Sequence, residues 1–429
     1  MTPTDDAPSP GFQPTESGNT ASRDRNDDPV AGLRILELAS VLAGPSVGQF
    51  FAELGARVVK VENPRAGGDV TRSWRLAEEP PDGISAYFSS CNVGKESVAL
   101  SLDRPEAQRI LHRLVLRADV VIASFLPGQA ERLGADAATL RALNPRLVYG
   151  SISGYGPDEP RAGYDAVLQA ESGFLHMNGS PDGEATKMPV AIVDLMASHQ
   201  LKQAILLALW RRERSGEGST VDVSLYDAAL SSLANQGTNY LVAGHDPGRI
   251  GSEHPNIVPY GMTLIGSDGR MLLLAVGTDS QFASLVDILG EPGLGSDERF
   301  RTNQARVRNR EALRPLLKRL VARRPADELL SLFRLSRVPA GAVRTVGEAL
   351  RDPRSAAVLL GGEAFAGLRQ AVFTRPDLAN PFALESADAH GVGLLPPPAL
   401  GEHTATVLKD WADVTAAELD GLRADGAAF

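Results

Sequence analysis

Arg34-Ile35-Leu36-Glu37-Leu38, then Gly44-Pro45, then Arg57-Val58-Val59-Lys60-Val61-Glu62 form the stretch that decides the fold. The first run reads as a short strand. Gly44-Pro45 opens a helix through Gln49, Phe50, Phe51 and Leu54, with proline at an early helical position where its missing N–H does no harm. Gly55 closes that helix as a C-cap. The 57–62 run is a second strand of buried type. Strand, helix and strand within about 30 residues make a β-α-β unit, the crossover that parallel strands require.

The alternation continues outward from this unit. Residues 105–117 read as a helix, 118–123 as a strand, 137–143 as a helix and 147–152 as a strand. A long helix follows at 195–214, a strand at 221–225 and a helix at 227–241. The pattern predicts an α/β fold with a Rossmann-like parallel-sheet large domain. The loop after the first strand, Ala39-Ser40-Val41-Leu42-Ala43-Gly44-Pro45, lacks the G-x-G-x-x-G fingerprint, which disfavours a nicotinamide dehydrogenase. Gly, Pro, His and Asn dominate 244–260, which reads as a linker. Strands at 271–276 and 340–343 and helices at 281–289, 309–321 and 326–333 then predict a smaller α/β domain. The expected division is a disordered tail at 1–29, a large domain at 30–243, the linker at 244–260 and a small domain at 261–350. A return linker and the C-terminal part of the large domain occupy 351–429, with a final helix at 416–422.

The bulk numbers agree with two domains. The chain has 429 residues, of which 43% are hydrophobic, enough for a large core. A formal net charge of −10 without a basic block argues against a nucleic-acid partner. The tail to Pro29 has almost no large apolar residues and no secretory signal core. No apolar run spans a membrane. The nearest candidate, Leu206 to Trp210, is flanked by charges and reads as a buried helix. A cytoplasmic location follows by elimination. The lone cysteine, Cys91, excludes an intrachain disulfide and reads as a bland buried thiol. No His, Cys, Asp and Glu group has metal-ligand spacing.

A series of short segments carries a resemblance over about residues 32–403. It includes Leu42-Ala43-Gly44-Pro45, Leu54-Gly55-Ala56-Arg57-Val58-Val59-Lys60-Val61-Glu62, Gly67-Gly68-Asp69-Val70-Thr71-Arg72 and Asn92-Val93-Gly94-Lys95. Phe125-Leu126-Pro127-Gly128, Glu131-Arg132-Leu133-Gly134, Gly163-Tyr164-Asp165, Pro255-Asn256-Ile257-Val258-Pro259-Tyr260 and Leu400-Gly401-Glu402-His403-Thr404 follow in order. In order and spacing the chain resembles the class III CoA-transferases of the CaiB/BaiF type, a family that includes carnitine CoA-transferase, formyl-CoA transferase and the α-methylacyl-CoA racemases. The resemblance implies a ring-shaped chain in an interlocked homodimer. It also implies acyl-CoA and carboxylic acid substrates, with the CoA thioester as substrate and no separate cofactor or metal.

The same resemblance implies the chemistry. An aspartate attacks the acyl-CoA thioester, and the matching residue is Asp194 in Val190-Ala191-Ile192-Val193-Asp194-Leu195, where a strand-like run meets the long helix. Local sequence alone reads Asp194 as a helix N-cap. Asp165 is the second active-site carboxylate, or on local reading an Asx turn. Tyr164 stands where the racemases resemble a histidine base. A phenol is a poor base at neutral pH, which favours transfer over racemisation. For CoA the matches are Val41 through its backbone, Leu100, Leu102, Ser124, Phe125 and Arg132, with Arg72 and Lys95 as further candidates beside the phosphates. Asn63, Val93 and Leu126 replace arginines common in relatives, so phosphate binding is expected to be shared differently here. The readings in play are CoA transfer (succinyl-CoA being one possible donor), α-carbon isomerisation of an acyl-CoA, and CoA binding without turnover. His254 is expected to pin its own loop.

Overall fold

The computed structural model describes residues 30–361, 365–372 and 394–429. The tail expected at 1–29 and much of the return segment lie outside the described residues. The chain forms two compact units. One holds the described residues up to Gly163, Val193–Ala228 and those from Arg354 onward; the other holds Tyr164–Ile192 and Ala229–Pro353. The segment 164–192 and the helical residues from Ala229 therefore group with the second unit, although sequence placed them in the first.

The first unit is built on six strands: β1 (Arg34–Leu38), β2 (Arg57–Glu62), β3 (Lys95–Ala99), β4 (Val120–Ala123), β5 (Val148–Ser153) and β6 (Thr220–Ser224). All pairs are parallel, in the order β3-β2-β1-β4-β5-β6. This is the doubly wound order, in which strand sequence reverses direction between β1 and β4 and ligands bind beyond the carboxyl ends there. The strand β3 escapes sequence reading because Lys95 and Ser97 interrupt its apolar pattern.

The reason for that interruption is a division of labour between the two sheet faces. Leu36, Val59, Val61, Val98, Val121 and Tyr149 form one apolar cluster under a helix α2 (Pro105–Val115). The opposite face carries Glu37, Lys60, Glu62, Lys95 and Ser97, all buried. Register makes Glu37 the neighbour of Lys60, and Lys60 the neighbour of Ser97, so these side chains share a face.

Over the charged face lie two helices, α1 (Ala43–Glu53) and α3 (Ile192–Ser215). A Cβ on Gly44 of α1 would come within 3.8 Å of Ile122 Cγ2, and one on Gly150 would meet Ile205 Cδ1 of α3 at 2.9 Å. Ile122 and Gly150 are register partners, so both helices cover the same side. Lys202 Nζ of α3 also sits 5.2 Å from the Phe50 ring of α1. The helix α1 leaves the carboxyl end of β1, while α3 ends near the start of the strands, where Arg212 Nη1 reaches Asp119 Oδ1 at 3.0 Å and Gly218 N reaches Pro145 O. Both helices therefore begin at the carboxyl edge of the sheet.

Two expectations about α3 are corrected. Residues 190–193 are not a strand, because Ile192 already begins the helix, and Asp194 lies inside its first turn rather than at an N-cap. The 206–210 segment is not wholly buried: Leu207 and Trp210 are each 64% exposed, since only one side of α3 meets the sheet.

Two further helices, α4 (Thr404–Ala412) and α5 (Ala416–Ala424), return to the first unit. The loop before them is held by Gly401 N on Ser97 Oγ and by Thr404 Oγ1 on Ala99 N. Trp411 is buried in the apolar cluster, with Arg34 and Arg57 near its ring faces.

The second unit has an antiparallel sheet, β7 (Tyr260–Ile265), β8 (Met271–Ala275) and β9 (Ala340–Ala342), packed on helices Asp279–Ile288, Arg310–Val321 and Ala326–Leu335. Residues 254–260, read as linker, are fastened into it. Arg306 Nε donates to Val258 O at 2.6 Å, Asn303 Oδ1 accepts from Val258 N, and His254 Nδ1 accepts from Asn256 N at 3.1 Å. His254 thus pins its own loop.

The packing over the charged face generates two predictions. A Cβ on Gly48 of α1 would fall 1.9 Å from Glu37 Oε2 and 3.1 Å from Lys95 Cε. Gly48→Ala should cost ~2–3 kcal/mol in denaturant unfolding, because helix and carboxylate must separate. Burial pushes the Lys202 ammonium down to about 8, with the Glu53 carboxylate opposing. Below that pH both folded and unfolded chains hold the proton; above it the folded chain releases it first. Wild-type stability, measured relative to Lys202→Met, should therefore rise between about pH 8 and about pH 10.

Candidate active site

The loop after β1 is the first element at the switch point. Val41 has φ 71°, a left-handed conformation that a β-branched residue rarely adopts. Its N–H donates to the Asp69 carboxylate (3.2 and 3.3 Å), and its carbonyl accepts from Cys91 Sγ at 3.3 Å. The Val41 N–H is thus already taken, while its carbonyl keeps a second lone pair.

Asp69 belongs to a buried ion cluster. Lys60 Nζ lies 2.8 Å from Asp69 Oδ2 and 2.9 Å from Glu37 Oε1, and it donates to Ala39 O at 2.8 Å. Lys95 Nζ donates to Glu37, Pro45 O and Asn92 Oδ1 at 2.7–2.9 Å. Burial opposes the Lys60 charge, but Glu37, Asp69 and Glu62 outweigh it and hold the ammonium above its ordinary range. Burial would raise Asp69, yet Lys60 and the Thr71 hydrogen bonds bring it below the usual carboxylate range.

This cluster engages two expected phosphate ligands. The three protons of Lys95 are all spent inside, and the residue is fully buried. Arg72 is turned onto Glu62 (2.6 and 2.8 Å), donates to Pro398 O and stacks on Phe88. Leu100 is likewise core, bridged to Ala428, with no exposed surface. Cys91 is buried, and burial pushes its thiol up to about 11, which fits a bland thiol.

The remaining CoA candidates gather at the carboxyl edge. Ser124 Oγ, just past β4, accepts from Ser40 N at 3.4 Å and so joins the loops on either side of the switch point. Phe125 packs partly buried against the apolar cluster. Leu102 and Arg132 are brought together by Gln108, whose Nε2 donates to Leu102 O at 2.8 Å and to Arg132 O at 3.3 Å. The Arg132 side chain is exposed. Between them Arg104 has a buried Nε with no hydrogen-bond partner among the described residues. Neither Arg104 nor Gln108 stood out in the sequence. The signal for Arg104 was its place at the carboxyl end of β3, visible only once β3 is known.

Asp194 sits in the first turn of α3, 8% exposed, at the same sheet edge as the Val41 loop. A helix N-terminus favours a carboxylate and offers N–H groups to a developing oxyanion. One turn along the same face Ser198 is buried, and its hydroxyl has no partner among the described residues. Helical side chains lean toward the preceding turn, so Ser198 leans toward that of Asp194.

Tyr164 and Asp165 belong to the second unit. Tyr164 is the exposed residue preceding the helix Asp165–Glu171. Asp165 Oδ2 accepts from Gln169 Nε2 at 2.7 Å, and Gln169 Oε1 accepts from Met188 N at 2.8 Å. The carboxylate is therefore tied to the segment that leads in sequence to Asp194. No group of His, Cys, Asp and Glu suited to a metal occurs among the described residues, and none of their helices is long and apolar enough to cross a membrane.

Comparison with known proteins agrees with this arrangement. Residues 30–404 match the family model for CoA-transferase family III. The chain is 39% identical to a succinate–glutarate CoA-transferase of Agrobacterium fabrum, covering 89% of this chain and 95% of that one. It is 32% identical to a succinyl-CoA–D-citramalate CoA-transferase of Chloroflexus aurantiacus, covering 94% and 99%. A crystal structure of a CAIB/BAIF family protein from Brucella suis superposes with a TM-score of 0.74 at 38% identity, over 90% of this chain and 99% of that one. With a parallel sheet in doubly wound order, a loop and an aspartate-bearing helix meeting at its carboxyl edge, and these relatives along nearly its whole length, the chain belongs to the family III CoA-transferases.

Proposed function

We propose that this enzyme moves CoA from an acyl-CoA to a carboxylic acid through Asp194. An Asp194 oxygen attacks the thioester carbonyl and expels CoA thiolate, giving an aspartyl mixed anhydride. The thiolate attacks the aspartyl carbonyl, releasing the donor acid and leaving an aspartyl-CoA thioester. The acceptor carboxylate attacks that thioester, again expelling the thiolate. The thiolate then takes the acceptor acyl group and frees the Asp194 carboxylate. The observation that carries this reading is the burial of Asp194 in a helical first turn at the same sheet edge as the Val41 loop. First-turn N–H groups and the Ser198 hydroxyl are the donors for the oxyanion formed at each attack.

CoA lies across the switch point in this proposal, with Ser124, Phe125 and Leu102 beside the nucleotide and Arg132 and Arg104 on its phosphates. An arginine fork suits phosphate oxygens, and the unpartnered Arg104 Nε supports its inclusion. The substrates we infer are succinyl-CoA and a dicarboxylic acid, as the names of the relatives from Agrobacterium and Chloroflexus suggest. No metal or further cofactor is needed, and a cytoplasmic location fits. We also infer a homodimer, as the family resemblance implies. The exposed Leu207, Trp210, Leu241 and Val242 give it apolar surface to cover.

Incubation with succinyl-CoA should leave a covalent adduct on the peptide containing Asp194, trapped by hydroxylamine or borohydride and read by mass spectrometry. Asp194→Ala should lose the adduct and more than about 10³-fold of the transfer rate. Rapid α-proton exchange without an adduct would instead identify an isomerase. Tight CoA binding with neither would identify a protein that only binds CoA.

A further inference from the structure

We infer that Asp69 is a positioning residue for CoA: by gripping the Val41 N–H it holds the loop after β1 in a left-handed shape that the loop would otherwise leave. Three independent observations converge on this point. Val41 is β-branched and stands at φ 71°, where only an external constraint keeps such a residue. The constraint is visible, since both Asp69 oxygens lie within hydrogen-bond distance of Val41 N. Asp69 is itself held: Thr71 N and Oγ1 donate to its Oδ1, its own N–H donates to Glu62 Oε2, and Lys60 lies 2.8 Å from its Oδ2.

The chain of contacts runs from the sheet to the ligand edge. Glu37 and Glu62 on β1 and β2 place Lys60 and the 69–72 turn. Lys60 fixes the Asp69 carboxylate, and that carboxylate sets the direction of the Val41 carbonyl. Asp69 does not need to touch CoA. Its effect passes through the backbone of Val41, so it belongs to binding rather than to the chemical step. The inference rests on the proposed contact between the Val41 loop and CoA.

The test is a cycle of Asp69→Ala and Val41→Gly, since glycine takes a left-handed φ without strain. Asp69→Ala should raise KM for the acyl-CoA about tenfold with a smaller change in kcat, because it releases a strained backbone. In a V41G background the same D69A substitution should cost less than about threefold, because no strain remains to be held. An equal cost in both backgrounds, or an unchanged KM, overturns the inference. Asp69→Ser removes the carboxylate from the Val41 N–H, and it serves in the same cycle if D69A does not fold. Hydrogen exchange separates the two ideas. Faster exchange at 39–43 in D69A without ligand supports the grip by Asp69, and unchanged exchange refutes it. CoA protection of 39–43 in the wild type reports whether the loop meets CoA at all.

Discussion

A carboxylate buried in the middle of a β-strand organises this enzyme. Glu37 has no exposed surface, and two lysines converge on it, Lys60 from the adjacent β2 and Lys95 from β3 beyond it. Charges removed from water at this depth are tolerated only when each is paired and its remaining donors and acceptors are filled. Ala39 O, Pro45 O and Asn92 fill the remaining donors of the two ammonium groups, and Glu37 Oε2 lies 2.7 Å from Lys95 Nζ as an ion pair. Removing one partner would strand the others, so the cluster behaves as a unit. Its members come from β1, β2, β3 and the loops at their carboxyl ends, and their positions are fixed together.

The cluster also explains the shape of the helix above it. Only glycine at position 48 lets α1 descend onto the Glu37 carboxylate. The start of α1 is thereby set against the sheet, with Pro45 O held by Lys95. The helix α3 enters the same face through Leu201 and Ile205 over Gly150. The first turn carrying Asp194 and the loop carrying Val41 thus open at one edge. The placement of a nucleophile candidate beside a cofactor-type crevice follows from packing two helices on one face of a parallel sheet.

The residues divide accordingly into those that meet the edge and those that support it. Val41, Ser124, Phe125, Leu102 and Arg132 stand at or near the edge, while Lys95, Leu100 and Arg72 are absorbed by the interior. Position in a family-like motif does not distinguish the two groups, because both draw on residues that follow the same strand in sequence, Leu100 and Leu102 after β3. Saturated hydrogen-bond donors set Lys95 and Arg72 apart from the exposed Arg132, while Leu100 and Leu102 both belong to the apolar core. Lys95 shows the difference plainly: its ammonium is turned inward because Glu37 is there to receive it.

By itself the sequence determined the β-α-β alternation, the place of α1, the body of α3 and the blandness of Cys91, because these depend on local periodicity, glycine and proline placement and residue chemistry. The ordered series of motifs determined the family and singled out Asp194. Tertiary structure alone decided the rest. β3 is a strand because its polar residues answer charges on β2 and β1, which no local pattern contains. The segment 164–192 groups with distant residues, as in the hydrogen bonds from Gly251 N to Gly179 O and from Arg249 Nη1 to His176 O, 73 positions apart. Asp69 grips Val41 across 28 positions of sequence, and Gln108 ties Leu102 to Arg132. None of these pairings is contained in a local periodic pattern, and they become legible only when the chain is folded.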